Sequence, residues 1–169
     1  MRIGQSGIVT LVALLALFGA ATLSAQEDGG GGSFGTSDGP RGLKWTGGNM
    51  GSALMNPGEN CVACHSAGEG PRFTAAGTVY ARLDEKSLDL GVQGAMVIIT
   101  DAKGKVTKLQ TNKSGNFFAR YAKFAFPIKA KVEYKGQTRA MLGSRGSANC
   151  AACHTQSGAG GAPGRIAIP

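Results

Sequence analysis

The stretch IKAKVEY at residues 128–134 alternates apolar and charged side chains over seven positions. A period of two places the apolar side chains on one face of a β-strand and the charged side chains on the other. The sequence therefore predicts a half-buried strand here, with one face packed on a core and the other face in water.

Similar stretches surround this one. AMVIIT at residues 95–100 is rich in β-branched residues and almost continuously hydrophobic, which is typical of a central strand. Turn-forming segments separate further predicted strands, at residues 77–82, 105–111, 116–122 and a short stretch after 137. About six or seven short strands with a turn every 8–12 residues or so predict a mainly β fold, a small antiparallel β-sandwich.

The pentapeptide C-x-x-C-H occurs twice, as CVACH at residues 61–65 and CAACH at residues 150–154. These two motifs contain all the cysteines and histidines of the chain: Cys61, Cys64, His65, Cys150, Cys153 and His154. C-x-x-C-H is the spacing of c-type haem attachment. The two thiols form thioethers with the vinyl groups of the porphyrin, and the histidine ligates the iron. The sequence therefore predicts two covalently attached haem c groups, in loop-rich segments that flank the sandwich.

The surroundings of the two motifs resemble each other. Residues before and after the first motif recur around the second: Met55, Gly58, Asn60, Pro71 and Arg72 correspond to Met141, Gly146, Asn149, Pro163 and Arg165. Each proline is predicted to offer its carbonyl to the N–H of the iron-ligating imidazole, or to serve only as a turn residue. Each arginine is predicted to pair with a haem propionate, or to lie exposed.

The second axial ligand of each iron must come from elsewhere, because His65 and His154 already serve as proximal ligands. A methionine, a lysine or an open position remains. Met55 and Met141 precede their motifs by six and nine residues, which is enough extended chain to pass round a haem. We therefore predict Met55 and Met141 as distal metal ligands, each of its own haem or of the other. The alternative is that both are apolar contacts at the porphyrin edge.

The chain divides into five predicted parts. They are an export signal at residues 1–25, a flexible Gly-rich tether at 26–54, a first haem-binding segment at 55–75, a β-sandwich domain at 76–142, and a second haem-binding segment with tail at 143–169. The apolar run of the signal is shorter than the roughly 20 residues that span a bilayer. We expect an exported protein without an integral membrane span after signal cleavage, in the periplasm, at the cell surface or outside the cell. An uncleaved N-terminal anchor is the alternative.

The net charge is +8, and the basic residues are scattered. The absence of a basic run argues against nucleic acid as a partner. A basic exported protein suits other redox proteins, acidic ones in particular, or an anionic surface. The sequence leaves the oligomeric state open.

Residues 76–135 resemble the carboxypeptidase regulatory-like, or transthyretin-like, domain. The resemblance is carried by GTV at 77–79, GAMVIITD at 94–101, GK at 104–105, Thr111 and GNF at 115–117. It implies a scaffold or binding module without catalysis. The whole chain after the signal is also similar to exported di-haem proteins of environmental bacteria, in which such a sandwich lies between two C-x-x-C-H motifs.

These observations predict an electron carrier and not an enzyme. No carboxylates are paired for acid–base chemistry, and no histidine is free to act as a distal base. One alternative is a haem enzyme, or a sensor of peroxide or a small gas, with an open iron position. The other is a structural sandwich module in which the four cysteines bind zinc. If six antiparallel strands separate the motifs, both motifs are expected at the same end of the sandwich.

Overall fold

The structure is a computed structural model, and it describes residues 51–68 and 70–169. The predicted signal and nearly all of the predicted tether lie outside the described residues. The described chain forms one short α-helix, one turn of 3-10 helix at the second motif (Cys150–Ala152) and seven strands. They are α1 (Cys61–Ser66), β1 (Ala75–Tyr80), β2 (Met96–Thr100), β3 (Val106–Gln110), β4 (Asn116–Ala119), β5 (Lys129–Tyr134), β6 (Gln137–Ala140) and β7 (Ile166–Ala167). The prediction of a mainly β fold is confirmed.

The strands form two sheets. One sheet has four strands in the order β3-β2-β5-β6, and all its pairs are antiparallel. The other has three strands in the order β4-β1-β7. Strand β1 is antiparallel to β4 but parallel to β7, so the prediction of an antiparallel sandwich is wrong for that pair. Parallel strands need a long connection, and the whole four-stranded sheet and the second motif lie between β1 and β7 in the chain.

The two strands predicted with most detail from the sequence are present. The predicted strand at residues 128–134 is β5, in which Val132 is buried in the core and Lys129 is exposed. The stretch predicted as a central strand is β2, which pairs with β3 on one side and β5 on the other. Alternation therefore sorts the side chains of β5 between core and water, as its sequence predicts.

Strand β1 is buried on both of its faces. Val79 faces the core with Phe117 of β4, while Thr78 and Tyr80 point to the opposite face. There the Thr78 hydroxyl accepts a hydrogen bond from the backbone N–H of Gly58 at 2.8 Å. The chain that leads into the first motif therefore covers the outer face of the three-stranded sheet.

The core continues past residue 142, the predicted end of the sandwich domain. Ala148 belongs to the buried core, and Ile166 of β7 packs against it. Asn149 forms a parallel bridge with Ala76 of β1. The segment that carries the second motif thus contributes to the sandwich itself.

The turn after β2 is held by a carboxylate. One oxygen of Asp101 accepts hydrogen bonds from the backbone N–H groups of Lys103 and Lys105, both at 2.9 Å, and the other accepts from Ala125 at 3.1 Å. The bond from Ala125, with the other two, lowers the pKa of Asp101 below its usual value. A carboxyl whose pKa is lower when folded stabilises the fold above its unfolded pKa of about 4, and this stabilisation is lost as the pH falls through the folded value.

We expect Asp101→Asn to unfold more easily than the wild type at pH 7 and to lose less stability on acidification. Asparagine has no charge to lose and presents an N–H to one of the three donors. Urea unfolding at pH 7, 4 and 3 measures both effects. Asp84→Asn is the control, because Asp84 forms an exposed ion pair with Arg82 and should change little. If Asp101→Asn loses as much stability between pH 7 and pH 3 as the wild type does, Asp101 is not the stabilising carboxylate.

Candidate functional site

The first motif forms helix α1. The Asn60 side chain caps this helix by accepting a hydrogen bond from the backbone N–H of Ala63 at 3.1 Å. Residues three apart on a helix lie on the same side, so Cys61 and Cys64 face the same direction. Both are free cysteines, and Cys64 is exposed. The local fold thus presents two thiols together and places His65 directly after them.

A backbone carbonyl holds the imidazole of His65. Its Nδ1 lies 2.8 Å from the carbonyl oxygen of Pro71. A carbonyl oxygen only accepts, so the proton is on Nδ1 and the lone pair is on Nε2. The ring also stacks on Phe73, with 4.0 Å between the ring centroids. The predicted contact between the proline carbonyl and the imidazole is therefore confirmed for the first motif.

The second histidine makes the same kind of contact with a different residue. Nδ1 of His154 lies 2.9 Å from the carbonyl oxygen of Gly164, so the prediction of Pro163 is wrong by one residue. Gly164 has a φ of +146°, and a Cβ there would lie 2.4 Å from the carbonyl oxygen of Leu83. The chain therefore turns one residue later than predicted, at a position that only glycine can occupy.

Both imidazoles consequently have the tautomer that a metal ligand requires. Within the described part of the chain, Nε2 of His65 and Nε2 of His154 have no hydrogen-bond partner. An imidazole fixed through Nδ1 by a carbonyl is the usual second-shell arrangement of a metal-ligating histidine. Each motif thus presents an oriented nitrogen lone pair next to its two thiols.

The leading thiols of the two motifs have matching environments. Sγ of Cys61 donates to the carbonyl of Glu59 at 3.5 Å, and Sγ of Cys150 donates to that of Ala148 at 3.4 Å. Burial raises the pKa of Cys61, and it raises the pKa of Cys150 to about 12. Both therefore remain protonated thiols at neutral pH. Thiol redox catalysis needs a thiolate with a lowered pKa, so this environment disfavours it.

The second motif opens onto a cavity of about 470 Å³ between the two sheets. Its lining includes Cys150, Cys153 and His154, and also Met141. This volume lies within the range of about 300–1,000 Å³ that is typical of cofactor and ligand sites. The structure thus brings the predicted ligand Met141 to the same cavity as the second motif.

Much of the rest of this lining is apolar, and part of it comes from the strands of the sandwich. Val97, Phe117 and Val132 are buried core residues that also border the cavity. Four cationic residues border it as well: Lys131, Arg139, Arg145 and Arg165. An apolar interior with a few polar groups at its border is the usual form of a cofactor site.

Met55 is placed differently from Met141. Its backbone carbonyl accepts a hydrogen bond from the side-chain amide of Asn116 at 2.9 Å, which attaches it to β4. Met55 does not border the cavity of the second motif. Of the two predicted distal ligands, only Met141 is therefore placed beside a candidate haem site by the described contacts.

Arg165 borders the cavity of the second motif, and the alternative prediction that it lies exposed is wrong. It is buried, its Nη1 donates to the Gly58 carbonyl at 3.1 Å, and its guanidinium carbon lies 5.2 Å from the ring centroid of Tyr80. It thereby links the segment before the first motif to the end of the chain. Arg72, its counterpart, is exposed. The hydrogen bond of Arg165 joins residues more than a hundred positions apart, and no local sequence signal indicates it.

The two motifs lie near each other, on opposite faces of the three-stranded sheet. The first covers the face that carries Thr78, whereas a Cβ on Gly77, which points to the core, would lie 3.2 Å from Cβ of Cys150. Cys61 is also among the groups that raise the pKa of Cys150, so the two thiols are within electrostatic range. The prediction that both motifs lie at one end of the sandwich agrees with this proximity.

Two further observations concern the described residues alone. No three side chains of His, Cys, Asp or Glu are grouped there so that they could hold a metal ion, and a zinc site made of the four cysteines gains no support from this arrangement. No helix in the same part of the chain has the length and apolar character to cross a membrane.

No known protein family matches the chain, and neither does any curated protein or solved structure. Its function therefore has to be inferred from the two motifs and the cavity.

Proposed function

We propose that this protein is an exported di-haem c-type cytochrome that transfers single electrons between other redox proteins. The observation that carries the proposal is the state of the two histidines. Each follows a pair of free cysteines, and each is fixed through Nδ1 by a backbone carbonyl, with Nε2 unpartnered in the described structure. Neither a zinc site made of the four cysteines alone nor a disulfide would require an oriented histidine after each cysteine pair.

The residues present fit two covalent haem groups. Cys61 and Cys64 would form the thioethers of the first, and Cys150 and Cys153 those of the second. Nε2 of the adjacent histidine would ligate the iron in each case. When bound, the haem iron supplies the one-electron chemistry, while the protein fixes its position and surroundings. The apolar cavity beside the second motif supports the fit there.

The sandwich is proposed to be a carboxypeptidase regulatory-like scaffold. Seven strands in two sheets, with glycine turns between them, are consistent with that narrower assignment. Haem c attachment takes place outside the bacterial cytoplasm, so the proposal includes export to the periplasm or beyond. The net charge of +8 supports an acidic redox partner.

Intact-mass measurement of the full chain, produced in a host that attaches haem c, tests the proposal. The expected mass includes two haem groups, and the pyridine haemochrome spectrum should be that of haem c. The paired variants Cys61→Ala/Cys64→Ala and Cys150→Ala/Cys153→Ala should each lack one haem. A colourless wild-type protein of unmodified mass from a competent host would rule the proposal out, and zinc in that protein would favour the structural alternative.

Met141 is expected to be the distal ligand of the second haem, because it borders the same cavity as His154. Met141→Ala should remove the contribution of the second site to the thioether-to-ferric-haem charge-transfer band. If both sites have a methionine ligand, the band should lose about half of its intensity. The oxidised absorption spectrum measures the band. Met96→Ala is the matched control, because Met96 lies on β2 and does not border the cavity. An unchanged band in Met141→Ala would contradict the assignment.

The same variants distinguish a carrier from an enzyme or gas sensor. A carrier with two six-coordinate irons should resist carbon monoxide in its reduced form, and Met141→Ala should bind it. Binding by the wild type would indicate an open iron position and favour the alternative function.

A further inference from the structure

We infer that the two haem sites are unequal: the haem of the second motif forms part of the sandwich core, whereas that of the first motif does not. The inference rests on the proposed function, since it requires both haem groups to be attached. It assigns the second group a role in stability in addition to electron transfer.

The cavity of the second motif is continuous with the core. Val97 of β2, Phe117 of β4 and Val132 of β5 come from both sheets, and all three border the cavity while belonging to the core cluster. Unfilled apolar volume inside a protein forfeits the dispersion contacts of its lining. A planar apolar group attached to Cys150 and Cys153 would restore those contacts to both sheets at once.

Polar contacts join the chain segments that border this cavity. Arg139 of β6 donates through Nε to the Ile168 carbonyl at 2.9 Å. Arg145 pairs with Ile128 as an isolated bridge, and its Nη2 donates to the Gly160 carbonyl at 3.2 Å. A group bound in the cavity would therefore contact β5, β6 and the segment of residues 143–169, and would join them.

The first motif is attached to the sandwich by protein contacts. The backbone N–H of Gly58 donates to Thr78, and the Met55 carbonyl accepts from the Asn116 amide. Phe73 stacks on Phe118 of β4 with 4.8 Å between centroids. None of these contacts requires a cofactor. Loss of the first haem should consequently leave the fold in place.

Thermal unfolding of the two paired cysteine variants tests the inference. Relative to the wild type with two haem groups, Cys150→Ala/Cys153→Ala should lower the unfolding midpoint by about 10 °C or more, because the core cavity stays unfilled. Cys61→Ala/Cys64→Ala is the matched control and should shift the midpoint by no more than about 3 °C. Far-UV circular dichroism gives the midpoint, and intact mass gives the haem count of each variant.

A third variant separates cavity filling from other effects of the cysteine substitutions. Adding Ala130→Trp to Cys150→Ala/Cys153→Ala places an indole in the cavity that Ala130 borders. The triple variant should have a higher unfolding midpoint than the double variant. If the double variant is too unstable to be produced, the triple variant should still accumulate as folded protein. Equal midpoint losses in the two paired variants, or no recovery with the indole, would overturn the inference. Such a result would leave the proposed function standing, which fails only if the wild type carries no haem.

Discussion

Replacing Ala130 with Trp in the otherwise unchanged chain is expected to give a protein that carries one haem instead of two. Ala130 lies on β5 and borders the cavity of the second motif. An indole there occupies much of the space between the sheets, so a porphyrin can no longer enter beside Cys150 and Cys153. The first motif lies on the far side of the three-stranded sheet and should keep its haem. Intact mass and the pyridine haemochrome spectrum measure the loss.

Lys129→Trp is the matched control for this experiment. Lys129 is the preceding residue of β5 and is exposed on the opposite face of the strand. The same large side chain is therefore added to the same strand without entering the cavity, and two haem groups are expected. If Ala130→Trp also carries two, the second haem does not occupy the cavity.

Replacing Gly115 with Ala is expected to lower the free energy of unfolding by about 3 kcal/mol or more. Gly115 has a φ of +77°, and a Cβ there would lie 2.6 Å from the Val79 carbonyl oxygen and 2.7 Å from the Val92 nitrogen. The Gly115 carbonyl also accepts a hydrogen bond from the Val79 N–H at 2.9 Å. The backbone of β1 would have to move, and denaturant unfolding measures the loss.

Gly104→Ala separates the effect of crowding from that of backbone conformation. Gly104 has a φ of +79°, almost the same as Gly115, but a Cβ there would meet no atom within 4 Å. Only the cost of a left-handed conformation remains, about 1–2 kcal/mol. A loss in Gly115→Ala no larger than in Gly104→Ala would show that the close approach to β1 contributes nothing.

The strands that the sequence predicted well are those whose side chains alternate or whose hydrophobicity is continuous. β5 and β2 are of this kind, because burial on one or both faces imposes a pattern on consecutive residues. β7 has only two residues and carries no period. Its parallel pairing with β1 depends on how the chain returns after the second motif, and that path is set by long-range packing.

The local geometry of the two motifs was predictable in part, and their tertiary surroundings were not. The carbonyl contact of His65 follows from the spacing to Pro71. For His154, the glycine-rich loop before Gly164 makes the spacing uncertain, so the residue whose carbonyl contacts its imidazole could not be predicted. The repeat also drew attention to Met141, which borders the same cavity as the second motif, and its role as a ligand stays a prediction. The cavity beside the second motif arises from the separation of two sheets, and the hydrogen bond from Arg165 to the Gly58 carbonyl joins distant segments of the chain. Neither feature produces a recognisable pattern in the local sequence.

Strand β1, which is buried on both faces, has a consequence for how the chain tolerates change. A strand at the surface of a sandwich can exchange half of its residues for other polar ones, but all six residues of β1 touch protein on one side or the other. Its small residues fit between two packed layers. A larger side chain at any of these positions could not avoid a clash by extending into solvent. In a random library of variants, this hexapeptide should accept the fewest substitutions of any strand in the molecule.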